Sequence, residues 1–277
     1  MNISKIVKSS TTCISSVEDL KPLGYQKFFD RHAQSDGTAI VPYFNDTERD
    51  AISKDNDWTY FINSAGFRGK WNLDSKKEKI GFFGCSFTSG EGNHENDLFV
   101  NKVAQHFDLE PFNLGVGGSS IERVAKIFSA ANKVINLDYA IITLPTWTRQ
   151  TLLESDGKYR SVIPGWTSRK EDKLFEKFLL SASNEYFINY AMNMITWIVE
   201  VSYLYNVKIL LNSWDSQVFE LLKVLTPNLC AAKIFPNIDN GAARDTMHPG
   251  PLSQDMYAQQ LINEIQLRKW IDKSINV

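Results

Sequence analysis

The sequence predicts an α/β protein, because from residue 78 onward short apolar runs alternate with longer amphipathic stretches. This alternation is typical of a parallel sheet covered by helices. Small and polar residues directly follow several of the apolar runs. In open α/β sheets ligands bind beyond the carboxyl ends of the strands, so the same pattern predicts the sheet edge that carries a functional site.

Five strands with helices between them indicate a flavodoxin-like, three-layer α/β/α fold with a mainly parallel five-stranded sheet. The strand candidates are Lys79 to Gly84, Pro111 to Val116, Asp138 to Leu144, Val207 to Asn212 and Ala231 to Phe235. The helix candidates are Asn96 to His106, Ser120 to Lys133, Glu171 to Ser181, Glu185 to Tyr205, Ser216 to Leu225 and Leu252 to Ile275.

Residues 1–75 differ from the rest of the 277-residue chain, with scattered Gly and Pro and no sustained periodicity. They contain too many aromatic residues for a typical disordered tail. We therefore expect an irregular N-terminal extension packed on one α/β domain that spans residues 76–277. The segment Leu152 to Lys170 is the longest break inside that domain, and it is either a substrate-covering loop or a surface connection.

The charge balance, 30 basic against 32 acidic residues, creates no overall field for nucleic acid or an anionic membrane. Cys13, Cys85 and Cys230 are widely spaced and form no Cys-x-x-Cys pair, which argues against a disulfide framework and a zinc site. We expect no cofactor, no nucleic-acid or membrane partner, and a reducing compartment such as the cytoplasm. No secretory signal is visible near the N-terminus, and the apolar stretch Tyr186 to Tyr205 is interrupted by polar residues, as in a buried or amphipathic helix.

A candidate nucleophile lies where the first strand of the predicted sheet ends. Residues 81–92 read Gly-Phe-Phe-Gly-Cys-Ser-Phe-Thr-Ser-Gly-Glu-Gly, which places Ser86 at the break from a buried strand into a Gly-rich turn. A serine hydroxyl is a weak nucleophile at neutral pH unless a base lies within hydrogen-bond reach.

Residues 245–250 read Asp-Thr-Met-His-Pro-Gly and supply such a base. His248 is the candidate base, and Asp245 is placed to accept the proton on its other ring nitrogen. Alternatively, Asp245 is only a charged residue near a helix N-terminus and His248 an ordinary surface histidine. The joint presence of the serine turn favours the catalytic interpretation.

Taken together, these segments resemble the blocks of the GDSL-type acylhydrolases, also called SGNH hydrolases, over roughly residues 60–265. Gly84-Cys85-Ser86-Phe87-Thr88, with Gly90-Glu91-Gly92 after it, is similar to the first block, in which the serine is the nucleophile and its backbone N–H an oxyanion donor. The segment 113–120, Asn-Leu-Gly-Val-Gly-Gly-Ser-Ser, is similar to the second, which implies Gly118, with Gly117 as neighbour, as the next oxyanion donor. Residues 245–250 are similar to the last block, which contains the acid and base.

An upstream segment, 63–69 (Asn-Ser-Ala-Gly-Phe-Arg-Gly), is similar to one that often precedes the first block in bacterial and phage members. A phage-encoded protein acting in the host cytoplasm would fit this likeness.

Two departures from the family pattern stand out. Cys85 replaces the aspartate that usually precedes the nucleophile and organises the turn. The third block normally offers an asparagine to the oxyanion, whereas Pro145-Thr146-Trp147-Thr148-Arg149 contains none. Thr146 is the candidate substitute donor, and loss of one such donor can cost about 10²- to 10³-fold in rate. Arg149 is the candidate contact for an anionic substrate group, and Trp147 and Trp166 are the aromatic residues expected near the site.

Two other chemistries are less consistent with the residues. Cys85 is a rival nucleophile, but neighbouring strand residues point to opposite faces, so Cys85 faces the core if Ser86 faces the site. The Gly-rich run 115–118 lacks the lysine and the spacing of a phosphate-binding loop. His32, His94 and His106 have no metal-ligand spacing and are expected to be surface or capping residues.

The sequence therefore predicts a serine ester hydrolase, with small acyl groups such as acetyl on a carbohydrate as the substrate class that the resemblance implies. Two alternatives remain: a non-catalytic or weakly active carbohydrate- or protein-binding module on the same fold, and an O-acyltransferase that passes the acyl group to a sugar.

Overall fold

The computed structural model describes residues 14–24, 38–40, 59–153, 159–163, 173–235, 242–243 and 248–271. The strands are β1 (Thr38–Ile40), β2 (Thr59–Phe61), β3 (Lys79–Gly84), β4 (Glu110–Gly115), β5 (Tyr139–Leu144), β6 (Gln150–Leu153), β7 (Tyr159–Val162) and β8 (Lys208–Ser213). The helices are α1 (Ser86–Ser89), α2 (Phe99–His106), α3 (Ile121–Val134), α4 (Lys173–Ser181), α5 (Asn184–Tyr205), α6 (Ser216–Leu225) and α7 (Pro251–Leu267).

A parallel sheet with the order β4-β3-β5-β8 forms the centre of the protein, which confirms the predicted fold class. Because all four strands are parallel, the segments that follow β3, β4 and β5 emerge at one edge. Ser86, Gly117, Gly118 and Thr146 lie in these segments, as the sequence predicts. The remaining strands form two separate antiparallel sheets of two strands each, β1-β2 and β6-β7.

The fifth predicted strand, 231–235, is not a regular strand. Leu211 on β8 forms a single parallel bridge with Cys230, and the Phe235 amide donates to the Ser213 carbonyl at 3.0 Å. The Ser213 amide, which would continue the ladder to Ala231, instead donates to the Asn212 side-chain oxygen at 2.7 Å. The ladder stops there, so the segment follows the edge of β8 without continuous pairing.

Successive side chains of β3 point to opposite faces of the sheet, as the two-residue period of a strand requires. Phe83 packs edge-on against Phe128 of α3, with 5.2 Å between ring centroids. Phe82 packs on the opposite face against Phe99 of α2 at 5.7 Å. Helices α3, α5 and α6 contribute to the first hydrophobic cluster and α2 and α7 to the second, which gives the predicted three layers.

The described part of the N-terminal region packs on this core. Its 3₁₀ helix, Val17–Leu23, contacts α3 and buries its leucines. The guanidinium of Arg123 on α3 donates to the carbonyls of Leu23 and Gly24, with the shortest bond at 2.7 Å. Most of the predicted extension lies outside the described residues, so its division from residues 76–277 stays a prediction.

Two predicted helices have other bounds in the structure. The helix predicted from Asn96 to His106 is split into a 3₁₀ turn, Glu95–Asp97, and α2, and the helix predicted from Leu252 to Ile275 ends at Leu267. The predicted surface break after residue 152 contains the β6-β7 hairpin. No helix in the described ranges is both long enough and apolar enough to cross a membrane.

Candidate active site

Ser86 is the first residue of α1, directly beyond the carboxyl end of β3. Its exposed fraction is 5%. A Cβ on Gly84 would stand 2.1 Å from the Thr88 hydroxyl oxygen and 2.8 Å from the Thr143 carbonyl oxygen, so this turn requires glycine. The helix is short because Gly90, at φ 75°, turns the chain back, and the amides of Gly90 and Glu91 both donate to the Ser86 carbonyl.

The buried guanidinium of Arg68 holds the turn that follows Ser86. Arg68 is 2% exposed and donates to the carbonyls of Ser89, Gly90 and Asn93 at 3.0, 2.6 and 2.8 Å. Its Nε donates to Glu95 at 3.0 Å. Charge-assisted bonds of this kind are among the stronger ones in proteins. The turn is therefore fixed by a side chain from the upstream segment 63–69.

The Asn93 side chain connects the serine turn to the histidine segment. Its Nδ2 donates to the Glu91 carbonyl at 3.2 Å and to the Pro249 carbonyl at 2.9 Å. The segment is also braced by the Ala243 amide, which donates to the His248 carbonyl at 2.7 Å. Asn93 is fully buried, so neither bond competes directly with solvent.

His248 lies beside the residue that follows the candidate nucleophile. Its ring stands edge-on to Phe87 with 5.8 Å between centroids, and its side chain is 16% exposed. The structure thus brings the serine turn and His248 together although 162 positions separate Ser86 from His248 in the sequence. Asp245 lies outside the described residues, and its role as the partner of His248 stays a prediction.

The Gly-rich segment after β4 lies against the same turn. A Cβ on Gly115 would stand 2.4 Å from the Ser89 nitrogen, so only glycine permits this approach. Gly118 has a positive φ of 72° and is followed at Ser120 by the N-cap of α3. Gly115 therefore contacts the serine turn and Gly117 contacts Glu91, and the role of Gly117 and Gly118 as oxyanion donors stays a prediction.

Ser161, on β7, is a site neighbour that sequence reasoning missed. A Cβ on Gly118 would stand 3.6 Å from the Ser161 hydroxyl oxygen. That oxygen is buried and has no hydrogen-bond partner within the described residues. No motif marks Ser161, because it belongs to a hairpin whose position over the Gly-rich segment is set by tertiary packing.

The segment after β5 contains three of the predicted site residues. The hydroxyl oxygens of Thr146 and Thr148 are 3.3 Å apart. Trp147 is 8% exposed and belongs to the first hydrophobic cluster, which leaves little of its ring for a ligand. Trp166, the other predicted aromatic contact, lies outside the described residues.

Arg149 is connected to the serine turn through two aromatic rings, those of Trp214 and Phe87. Its guanidinium lies 5.0 Å from the centroid of the Trp214 ring, and Trp214 lies 5.0 Å from Phe87. The Nε of Arg149 is buried without a hydrogen-bond partner in the part of the chain that the structure describes. The Trp214 N–H donates to the Cys85 sulfur at 3.3 Å. Cys85 is fully buried, as predicted for a core residue next to the candidate nucleophile.

A buried tyrosine, Tyr257, is bonded to two strands near the same edge of the sheet. The Tyr257 hydroxyl is 3.0 Å from the Thr143 hydroxyl of β5 and accepts from Asn212 of β8 at 3.1 Å. Burial raises the pKa of Tyr257, so the phenol stays neutral and acts as a structural link between α7 and two strands. Within the described residues no His, Cys, Asp and Glu side chains gather as a metal site would need.

Glu91 is the second site residue that sequence reasoning missed. Its carboxylate oxygen Oε2 lies 3.7 Å from Nε2 of His248. A Cβ on Gly117 would stand 2.0 Å from its Oε1, so the carboxylate covers the Gly-rich segment. In the sequence Glu91 is only one residue of a predicted Gly-rich turn, so its contact with His248 was not predictable.

Comparison with solved structures gives likenesses to esterases. An acetyl xylan esterase (Est2A) from the rumen bacterium Butyrivibrio proteoclasticus is 15% identical, with a TM-score of 0.45 over 73% of this chain and 68% of that one. The psychrotrophic esterase EstA from Pseudoalteromonas sp. is 12% identical, with a TM-score of 0.44 over 71% of this chain and 100% of that one. A family two carbohydrate esterase from Clostridium thermocellum, in complex with cellohexaose, is 14% identical, with a TM-score of 0.42 over 70% and 65% of the two chains.

No protein-family model matches the chain, and no curated protein does. Because these TM-scores are below 0.5, the likenesses carry no argument about this chain. Its fold class follows from its own sheet topology, and its function has to be argued from the residues of the site.

Replacing Arg68 with Met removes the charged donor from the buried carbonyls of Ser89, Gly90 and Asn93, of which only that of Gly90 keeps a bond, from the Asn93 amide. We expect the free energy of unfolding to fall by about 2–5 kcal/mol, because each buried carbonyl left without a donor costs about 1–3 kcal/mol. Urea unfolding of Arg68→Met followed by circular dichroism measures this loss. The matched control is Lys76→Met at an exposed position, with a change within about 0.5 kcal/mol. A similarly small effect for Arg68→Met would show that Arg68 does not hold the turn.

Proposed function

We propose that the protein is a serine ester hydrolase of the SGNH, or GDSL, type. The observation that carries the proposal is that His248 lies against the residue next to Ser86, with Asn93 bonded to both of their segments. A serine at a helix N-terminus beyond a parallel strand, with an imidazole beside it, is the arrangement that activates a hydroxyl.

The mechanism assigns one role to each proposed residue. Ser86 Oγ attacks the acyl carbonyl while His248 Nε2 accepts its proton, and Asp245 holds the imidazole in the required tautomer. Backbone N–H groups of Ser86 and Gly118, with Gly117 and Thr146 beside them, stabilise the oxyanion. The imidazolium then protonates the departing alcohol, which leaves an acyl group on Ser86. Water, deprotonated by His248, attacks that ester and regenerates the free serine.

The proposed substrate is a small acyl group, such as acetyl, on a carbohydrate or related ester. The sequence resemblance suggests this class. The Arg149 guanidinium is the proposed contact for an anionic group of the substrate, and Trp166 is a proposed neighbour. We propose a cytoplasmic location, since the described cysteines Cys85 and Cys230 are free thiols.

A fluorophosphonate probe tests the nucleophile and base directly. We expect one adduct on the wild-type protein, measured as intact mass, because only an activated serine displaces the fluoride. The adduct should be absent from Ser86→Ala and reduced at least about 10²-fold in rate for His248→Ala, since the base contributes typically about 10²- to 10⁴-fold.

Ser181→Ala is the matched control, because Ser181 is exposed and bonds only to its own helix carbonyl among the described contacts. A folded wild-type protein that takes no label would exclude the hydrolase and leave a binding module on this fold. Product analysis with excess sugar separates hydrolysis from acyl transfer, since a transferase would form a new sugar ester.

Ser161 is proposed as the hydroxyl that compensates for the missing third-block asparagine. Its oxygen is buried, has no hydrogen-bond partner among the described residues, and would lie 3.6 Å from a Cβ on Gly118, the residue whose N–H is the proposed donor. For Ser161→Ala we expect kcat on an activated acetate ester to fall about 10²-fold, with KM changed less than threefold. Unchanged kcat in a variant with wild-type circular dichroism would exclude Ser161 from this role.

A further inference from the structure

The guanidinium of Arg149 is a positive charge without a counterion among the described residues. Arg149 is half-buried, and its Nε is enclosed. In the part of the chain that the structure describes, the guanidinium makes no hydrogen bond and has no carboxylate within ion-pair distance. Charged side chains that are partly removed from water are usually paired, because the loss of hydration costs free energy. The unpaired guanidinium therefore points to an anionic ligand.

Trp214 fixes the position of this charge. The guanidinium of Arg149 lies 5.0 Å from the centroid of the Trp214 ring, which attracts it as aromatic faces attract cations. Trp214 is itself held by both neighbours of Ser86, because its N–H donates to the Cys85 sulfur at 3.3 Å and its ring packs on Phe87 at 5.0 Å. Two successive distances of 5.0 Å keep the guanidinium within about 10 Å of the Phe87 ring.

The sheet topology brings the same residues to one edge. Strands β3, β5 and β8 are parallel neighbours, and Ser86, Arg149 and Trp214 lie in the segments that follow them. The Arg149 amide donates to the Thr146 carbonyl at 3.4 Å, so the guanidinium belongs to the same turn as the proposed donor Thr146. Gly118 follows β4, on the other side of β3 in the sheet order. Arg149 and the Gly-rich segment therefore flank Ser86 from opposite sides.

The described carboxylates of these segments are engaged elsewhere. Asp215, next to Trp214, caps α6 by accepting from two backbone amides of that helix, each at 3.0 Å. Glu91 has its Oε2 3.7 Å from Nε2 of His248. Within the described residues, a carboxylate on a ligand thus has no competitor for the guanidinium.

A carboxylate is the anion that suits this charge. The planar guanidinium matches a carboxylate in geometry, and its single positive charge balances a single negative one. Because Nε is enclosed, the two terminal nitrogens of Arg149 are the donors left to a ligand. An acyl group as small as acetyl carries no charge, so the carboxylate has to belong to the alcohol portion of the ester.

We propose that Arg149, held by Trp214, is a specificity-determining residue that makes the site favour esters whose alcohol portion carries a carboxylate over neutral ones. This inference rests on the proposed function for the turnover of such esters, because it names the substrate class of the same site. Binding of the alcohol portion alone does not require turnover, which allows the two to be tested separately.

4-Hydroxybenzoate and 4-hydroxybenzamide are suitable probes, since they have nearly the same shape and differ in charge. Isothermal titration calorimetry on the full chain is expected to show 4-hydroxybenzoate binding on the order of tenfold more tightly than the amide. In Arg149→Met and Arg149→Gln, which remove the charge, the two affinities should agree within about twofold. Equal affinities in the wild type, no binding of either probe, or a preference that persists in a folded Arg149 variant would each overturn the inference.

Lys208→Met is the matched control. Lys208 also lies over an aromatic ring, 5.6 Å from the centroid of Tyr139, but it begins β8, at the end of the strand opposite Trp214. Removing the same charge there should leave the preference for 4-hydroxybenzoate unchanged. Its loss in Lys208→Met would attribute the preference to net charge and overturn the inference.

Turnover of 4-acetoxybenzoate and 4-acetoxybenzamide is measured in parallel. The ratio of their kcat/KM values in the wild type is compared with the ratio in Arg149→Met, which cancels the difference in leaving-group reactivity. A binding preference that depends on Arg149, without turnover of either ester, would support the inference and reject the hydrolase. Turnover of both esters with the same ratio in the wild type and the variant would support the hydrolase and overturn the inference.

Discussion

The buried guanidinium of Arg68 is the interaction on which the candidate site depends. The chain must turn back sharply after Ser86, and that turn leaves three carbonyls pointing away from solvent. A buried polar group without a partner costs about 1–3 kcal/mol. One planar side chain with several donors satisfies these carbonyls together, and Glu95 offsets its charge. Without it the Ser89 and Asn93 carbonyls would lose the donor that the structure gives them.

From that fixed turn the rest of the site is assembled by contact. Asn93 extends from the turn to Pro249 and so locates the segment that contains His248. Gly115 lets the segment after β4 approach the Ser89 amide, and Gly117 follows it against the Glu91 carboxylate. The Glu91 carboxylate lies between these two segments, near His248 and Gly117. The positions of the proposed base, the proposed oxyanion donors and the carboxylate therefore all derive from the same short turn.

The sequence predicts the α/β layers, the four main strands and the edge at which Ser86 and the Gly-rich segment meet, because local periodicity and parallel strands determine these features. Single-residue contacts across the fold were not predictable. Glu91 and Ser161 became visible only through their distances to His248 and to Gly118. Trp147 shows the converse: its loop position suggested a ligand contact, but packing buries it in the core. Asp245 and Trp166 lie outside the described residues and keep their predicted roles as hypotheses.

The central claim is that Ser86, His248 and the Gly-rich segment form one site for acyl chemistry. A crystal structure of the protein after reaction with a small phosphonate ester tests it most directly, because the phosphorus group imitates the tetrahedral intermediate. The account predicts phosphorus bonded to Ser86 Oγ, one oxygen within hydrogen-bond distance of the Ser86 and Gly118 amides, and His248 Nε2 within reach of the ester oxygen. A phosphonate on another residue, or an oxygen directed away from both amides, would contradict it.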